Sequence, residues 1–246
     1  MNKGAQYMII SSFAFSLMHL CVKAMPHIPV FELVFFRSLG SLLITFFYLN
    51  KGKTPIFGNN KKVLFARGVF GTIGLCLFFI TLQNIPLAGA VTIQYLSPVF
   101  TTLFAVILLG ERVKKTQWLF FAFAFMGVCL LKGFDVSGQI SYYFILIGVA
   151  SACFSGLAYN CIRYLRTTES TLVVVFYFPL VATPIMGGLS FFNWVKPEGI
   201  DWVYIIALGI VTQVAQVFMT KGIQSDSAGN IMTYKYVGVV FAFIYG

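Results

Sequence analysis

The most constraining feature of this chain is an apolar run that is repeated, with short charged turns between the copies. Residues 87–109 are uninterrupted by charge, Gly110 and Glu111 end the run, Arg112, Lys114 and Lys115 form a basic turn, and Trp118 opens the next apolar run. A run of about 20 apolar residues is what a helix needs to cross the hydrocarbon core of a bilayer. Nine such segments can be drawn, at roughly 5–22, 31–49, 63–82, 87–109, 118–131, 142–161, 172–192, 202–220 and 228–246. With 59% hydrophobic and 10% charged residues, the chain lacks the polar surface of a water-soluble domain, which is usually about a quarter charged. The expected class is therefore all-α, a polytopic membrane protein.

The formal charge of +10 is no argument for nucleic acid, because the basic residues cluster in the turns. With the N-terminus in the cytoplasm, the inside segments hold Lys3, Lys51, Lys53, Lys61, Lys62, Arg112, Lys114, Lys115, Arg163, Arg166 and Lys221, and the outside segments only Lys23, Lys132 and Lys196. That asymmetry predicts an N-terminus inside. The five cysteines are scattered through apolar segments with no Cys-x-x-Cys, so they read as small free hydrophobes. The expected partners are the lipid bilayer and a small-molecule substrate, and no cofactor motif is present. The first apolar run ends in Cys21-Val22-Lys23 without a cleavage site and reads as a retained helix.

An internal repeat is visible at a shift of 140 positions. It places Ser12 and Ser16 on Ala152 and Gly156, Lys23 on Arg163, and Ala88-Gly89 on Ala228-Gly229. Five helices, an odd number, separate the copies, so the second copy is expected upside down in the membrane, a recurring plan of secondary transporters. The boundaries expected are 1–135 for the first five-helix repeat and 141–246 for the second. By this register the counterpart of Gly110-Glu111 falls near position 250, so the second repeat is expected to be truncated within helix 9.

Ala88-Gly89-Ala90, Tyr95-Leu96-Ser97-Pro98-Val99-Phe100 and Leu109-Gly110-Glu111-Arg112 together resemble the signature of the drug/metabolite transporter superfamily, in particular its EamA-like family. Phe36-Arg37-Ser38, Ala66-Arg67-Gly68 and Leu82-Gln83-Asn84-Ile85-Pro86 extend the resemblance over the whole chain. It implies a ten-helix transporter of two inverted repeats, both termini cytoplasmic, moving small organic metabolites across the cytoplasmic membrane of a bacterium.

Polar groups inside a bilayer are costly and are functional candidates by default. Lys235, about two turns into the last segment, either faces a central cavity and binds an anion, with Tyr234 beside it, or extends its stem to the membrane boundary. Tyr95 aligns with Lys235 in the repeat, and Gln94 adjoins Tyr95. His19 aligns with Tyr159, beside Asn160, and is either a cavity group or a neutral core imidazole. Gln213 and Gln216 lie at mid-depth in the eighth segment, lining a cavity or tying helices together. Arg37 is a gate or anion contact, or a structural charge held by carbonyls or by Glu32. Arg67 reads as an interfacial anchor. Ser97-Pro98, Pro179, Pro184 and Gly187-Gly188 are candidate hinge points, and Gly148, Ala152 and Gly156 a close-packing stripe.

No Asp or Glu falls deep in a span, which argues against a carboxylate proton relay. Positive groups without buried acids favour a substrate bearing a carboxylate, such as an amino acid. The function expected is a secondary transporter working by alternating access, in the export direction, and the alternative is a non-transporting fragment or assembly protein. Gly-x-Ser-x-Gly, His-Glu-x-x-His and paired intrahelical Asp are all missing from the sequence, so enzyme chemistry is not expected.

Overall fold

The computed structural model describes residues 3–52, 55–112, 115–133, 141–226 and 228–245. The described residues form α-helices joined by turns and short 3-10 segments, with no strand among them. In chain order the helices are α1 (Lys3–Lys23), α2 (Val30–Lys51), α3 (Lys61–Asn84), α4 (Leu87–Gln94), α5 (Ser97–Leu109), α6 (Lys115–Gly133), α7 (Tyr142–Tyr164), α8 (Thr171–Ser190), α9 (Asp201–Ser225), α10 (Ala228–Lys235) and α11 (Val237–Tyr245). Among the described residues, seven spans are long and apolar enough to cross a membrane: α1, α2, α3, α4 with α5, α7, α8 and α9. Phe46, Phe47, Phe65, Leu146, Val203 and Ile206 stand exposed along these helices, as a lipid-facing surface requires.

Two of the nine expected segments are each divided. Segment 87–109 breaks between α4 and α5 at Tyr95-Leu96, and the last segment breaks between α10 and α11 at Tyr236. Pro98 accounts for the first break. It occupies the first turn of α5, where its missing N–H would otherwise have bonded the Gln94 carbonyl. Position 238, 140 residues on, is a glycine. Pro179 and Pro184, by contrast, lie within a helix that continues through both.

The ends of the helices follow their sequences. Asn60, Ser141 and Ser170 cap α3, α7 and α8 with side-chain oxygens, satisfying otherwise unpaired N–H groups. Gly110 closes α5 at φ 66°, a left-handed turn that glycine adopts without Cβ strain. Within the helices, the hydroxyls of Thr45, Thr72, Thr81, Thr92, Thr101 and Thr102 bond the carbonyl one turn back, so these polar groups are satisfied internally.

The most extensive packing pairs α1 with α9, α3 with α7, and α2 with α8, followed by α5 with α7, α3 with α8 and α2 with α9. Small residues permit the closest approaches. A Cβ on Gly40 would lie 3.1 Å from the Gly209 Cα, so α2 and α9 touch backbone to backbone there. Gly156 similarly admits the Phe100-Thr101 backbone of α5 against α7. Two hydroxyls fasten the α1–α9 and α3–α7 pairs. Ser11 donates to the Ala215 carbonyl at 2.9 Å, and Ser151 donates to the Gly74 carbonyl at 2.6 Å.

Candidate functional site

The helices enclose one central cavity. Its wall is contributed by α1 (Ser12, Phe15, Met18, His19), α2 (Arg37), α3 (Arg67, Gly71, Gly74, Leu75, Phe78), the α4–α5 break (Val91, Gln94, Tyr95), α7 (Ser155, Ala158, Tyr159), α8 (Phe178), α9 (Gln216) and α10 (Lys235). The cavity volume is ≈ 80 Å³, enough for several waters or one small organic group.

Three cationic side chains reach this wall. Arg37 and Arg67 are 1% and 2% exposed, so both are packed inside the bundle. Their guanidinium carbons lie 5.2 and 5.1 Å from the centre of the Phe178 ring, which serves both as a cation–π partner. Arg37 Nε contacts the Met18 sulfur at 3.4 Å, and Arg67 Nη2 donates to Gln216 Oε1 at 3.3 Å. Arg37 Nη1 and Arg67 Nε have no hydrogen-bond partner although both are buried. Lys235 Nζ donates to Ser97 Oγ at 2.8 Å and to the Tyr159 hydroxyl at 3.2 Å. Among the described residues, no Asp or Glu lines the cavity. The net result is a positively charged chamber with aromatic walls.

The α4–α5 and α10–α11 breaks meet at this chamber. The Tyr95 and Tyr236 rings stack with centroids 5.5 Å apart at 28°. Ser12 donates to the Lys235 carbonyl at 3.4 Å, so α1 satisfies a backbone group released by the break. Discontinuous helices facing each other at mid-membrane supply backbone and side-chain ligands where continuous helices cannot.

Lys235, Tyr95, Gln94, His19, Tyr159, Gln216 and Arg37 therefore share one cavity. Gln94 is held between α7 hydroxyls, with Nε2 donating to Ser155 Oγ at 3.1 Å and Oε1 3.0 Å from Ser151 Oγ. His19 packs edge-on against Phe78 with ring centroids 5.0 Å apart. Three other candidates lie elsewhere. Asn160 is buried and donates to the Thr101 and Gly156 carbonyls, both at 2.9 Å, tying α7 to α5. Gln213 accepts from Ser41 at 2.6 Å, tying α9 to α2. Tyr234 is turned outward, 39% exposed.

The expected alternatives for the arginines need correcting. Glu32 does not pair with Arg37: its Oε2 accepts from the Val195 N–H at 3.0 Å, holding the 194–200 loop. Arg67 is no interfacial anchor, because Gly68 and Gly71 let α8 close over it and its side chain is directed inward past Phe178. Sequence reasoning also missed Ser12, Ser97 and Phe178. The repeat carried one available signal: Ser11 and Ser151 are identical residues 140 apart, directly preceding the noted Ser12 and Ala152.

A bundle of helices able to span a membrane, packed around a cationic cavity with two helices broken at its wall, defines a polytopic membrane protein. This chain belongs to the EamA-like transporter family, whose sequence profile matches residues 2–132 and 143–246. It is 32% identical to the pseudopaline exporter CntI of Pseudomonas aeruginosa strain UCBPP-PA14, over 98% of this chain and 85% of that protein. It is 32% identical to human solute carrier family 35 member G1 over 98% of this chain and 71% of that one. An S-adenosylmethionine uptake transporter of Rickettsia felis is 24% identical over 87% of this chain and 72% of its own length. A solved crystal structure shares the fold with a TM-score of 0.79 at 20% identity, over 98% of this chain and 86% of that one.

Proposed function

We propose that this transporter exports a small carboxylate-bearing metabolite, amino-acid-like or similar, by alternating access, with the cavity at Arg37, Arg67 and Lys235 as its substrate site. The observation that carries this reading is the convergence of three cations on one enclosed chamber in which no described carboxylate neutralises them. Such charge is expensive inside a bilayer unless a bound anion compensates it. Export is in keeping with the relative named as an exporter, although another relative is named for uptake.

Two inverted repeats, 1–135 and 141–246, within a ten-helix plan give this cavity its mechanism. Several paired features support them. The α1–α9 packing is mirrored by α7–α3, and α2–α9 by α8–α3. The Ser11–Ala215 bond is mirrored by Ser151–Gly74. Lys23 at the end of α1 donates to the Leu82 and Ile85 carbonyls at 2.9 and 2.8 Å, as Arg163 near the end of α7 donates to the Ile223 carbonyl at 3.3 Å. Rocking of one repeat against the other about the Tyr95 and Tyr236 breaks exposes the chamber to each side in turn. The basic turns favour a cytoplasmic N-terminus in a bacterial cytoplasmic membrane.

The test is a comparison of metabolites released by bacterial cells expressing the wild type or the Arg37→Gln/Arg67→Gln/Lys235→Gln variant at equal membrane abundance. The reading requires one or more carboxylates to accumulate outside the wild-type cells only. Identical media from the two strains contradict it.

A further inference from the structure

We infer that the substrate is a dianion with two separate carboxylates, one held by the Arg37–Arg67 pair and the other by Lys235. The inference rests on the reading of the cavity as the substrate site and adds the number of the charges that site recognises.

Charge balance comes first. Guanidinium groups stay protonated under all ordinary conditions, and Arg37 and Arg67 are nearly fully enclosed. A single carboxylate would leave two of these three positive charges without a counter-charge, and a dicarboxylate leaves one, since among the described residues no acidic side chain lines the chamber. The acidic groups nearest the helix ends are committed elsewhere: Glu32 to the Val195 N–H, Glu111 to Arg163 and Glu169 to the Asn59 and Asn60 N–H groups.

The cations then divide into two stations. Arg37 and Arg67 share the Phe178 ring, and each keeps a buried N–H without a partner, Nη1 on Arg37 and Nε on Arg67. Two guanidiniums on one side of a cavity can clamp a planar carboxylate. Lys235 belongs to a different wall. It rests on Ser97 of α5 and Tyr159 of α7, with its Nζ 4.6 Å from the Tyr159 ring centre. An ammonium is a compact point charge with three donors, and two are used here, so one remains for a ligand. Gln94 and Gln216 also line the chamber.

Binding to the full-length protein in detergent tests this by calorimetry with succinate, glutarate, their monoamides and inorganic phosphate. Wild type is expected to bind at least one dicarboxylate about tenfold or more tightly than its monoamide, the effect of one charge-assisted contact. Lys235→Met is expected to lower the dicarboxylate to the level of the monoamide. Arg67→Gln is expected to weaken both by about tenfold. Thermal midpoints without ligand establish that each variant is folded. The wild-type series needs no variant, so it decides the number of charges even where a substitution prevents folding. Equal binding of dicarboxylate and monoamide overturns the two-station inference and leaves the carboxylate site standing. Phosphate binding as tightly as the dicarboxylate also overturns it, because one doubly charged group would then suffice. Failure of all these anions to bind overturns both the inference and the reading of the cavity beneath it.

Discussion

Arg163 Nε donates to Glu111 Oε1 at 2.7 Å, joining the last turn of α7 to the glycine turn that ends α5. Arg163 is 5% exposed on its side chain and Glu111 is 19% exposed, and Arg163 Nη1 also reaches the Ile223 carbonyl of α9 at 3.3 Å. One side chain thus fastens three helix ends on one face of the bundle. Glu111→Gln keeps the shape and removes the charge, and is expected to lower stability by about 1.5–3 kcal/mol, the range for hydrogen bonds to charged groups. Thermal unfolding of Glu111→Gln, Arg163→Gln and the double variant measures the coupling. Additive losses would mean the pair contributes nothing.

Ser11 and Ser151 make corresponding bonds but have different neighbours. Ser11 bonds the Ala215 carbonyl, whereas Ser151 bonds the Gly74 carbonyl and also lies 3.0 Å from Gln94 Oε1 in the cavity wall. Removing either hydroxyl is expected to cost about 0.6–1.7 kcal/mol, typical of interhelical hydrogen bonds in membranes. Ser151→Ala is expected in addition to weaken substrate binding, because it releases one end of Gln94. Binding that is equally unaffected by both alanine substitutions would show that Gln94 needs no such support.

Gly71 allows a change of cavity geometry without a change of charge. A Cβ there would collide with Arg67 Nη1 and come 2.7 Å from the Phe178 ring. The guanidinium is the far end of a flexible side chain, so Gly71→Ala is expected to fold and to displace Arg67 from its place between Phe178 and Gln216. Anion affinity is expected to fall about tenfold, the equivalent of one charge-assisted bond. Titration of the variant against wild type checks this, with the thermal midpoint as the control for folding.

Gly238 connects the two helix breaks. A Cβ at this position would collide with the Tyr95 hydroxyl, and Tyr95 lines the cavity and stacks on Tyr236. Gly238→Ala is expected to reduce transport at least tenfold, on the order of a misplaced binding group. Adding Tyr95→Phe removes the colliding oxygen and is expected to restore part of the loss. A double variant no better than Gly238→Ala would place the defect in α11 itself.

Much of this fold was legible in the sequence because a bilayer permits few solutions. Runs such as 63–82 and 202–220 can only be spans, and Gly110 marks the end of α5 whatever the packing. Pro98 signalled the break in the fourth segment. The break at Tyr236 has no proline, and its glycine is required by the approach of Tyr95, a contact between residues far apart in sequence. The same limit explains the site. Lys235, Tyr95, Gln94 and His19 stand out in the sequence as polar groups in apolar segments and Tyr159 through its alignment with His19, and all five lie on one cavity wall. Arg67 was misplaced because depth along a helix does not give direction around it, and direction is set by Gly68 and Gly71 opposite α8. Gln213 and Gln216 are three positions apart with equal sequence signals, yet one ties α9 to α2 and the other meets Arg67.

The central claim, that a small anionic metabolite crosses through the Arg37–Arg67–Lys235 chamber, is tested most directly by tracer flux. The protein is reconstituted into liposomes loaded with unlabelled glutarate, and entry of external radiolabelled glutarate is followed for wild type, Arg67→Gln and Lys235→Met. The account predicts saturable entry through the wild type and a fall of about tenfold or more in each variant, at equal reconstituted amounts of folded protein. Entry at the same rate after either cation is neutralised would contradict it.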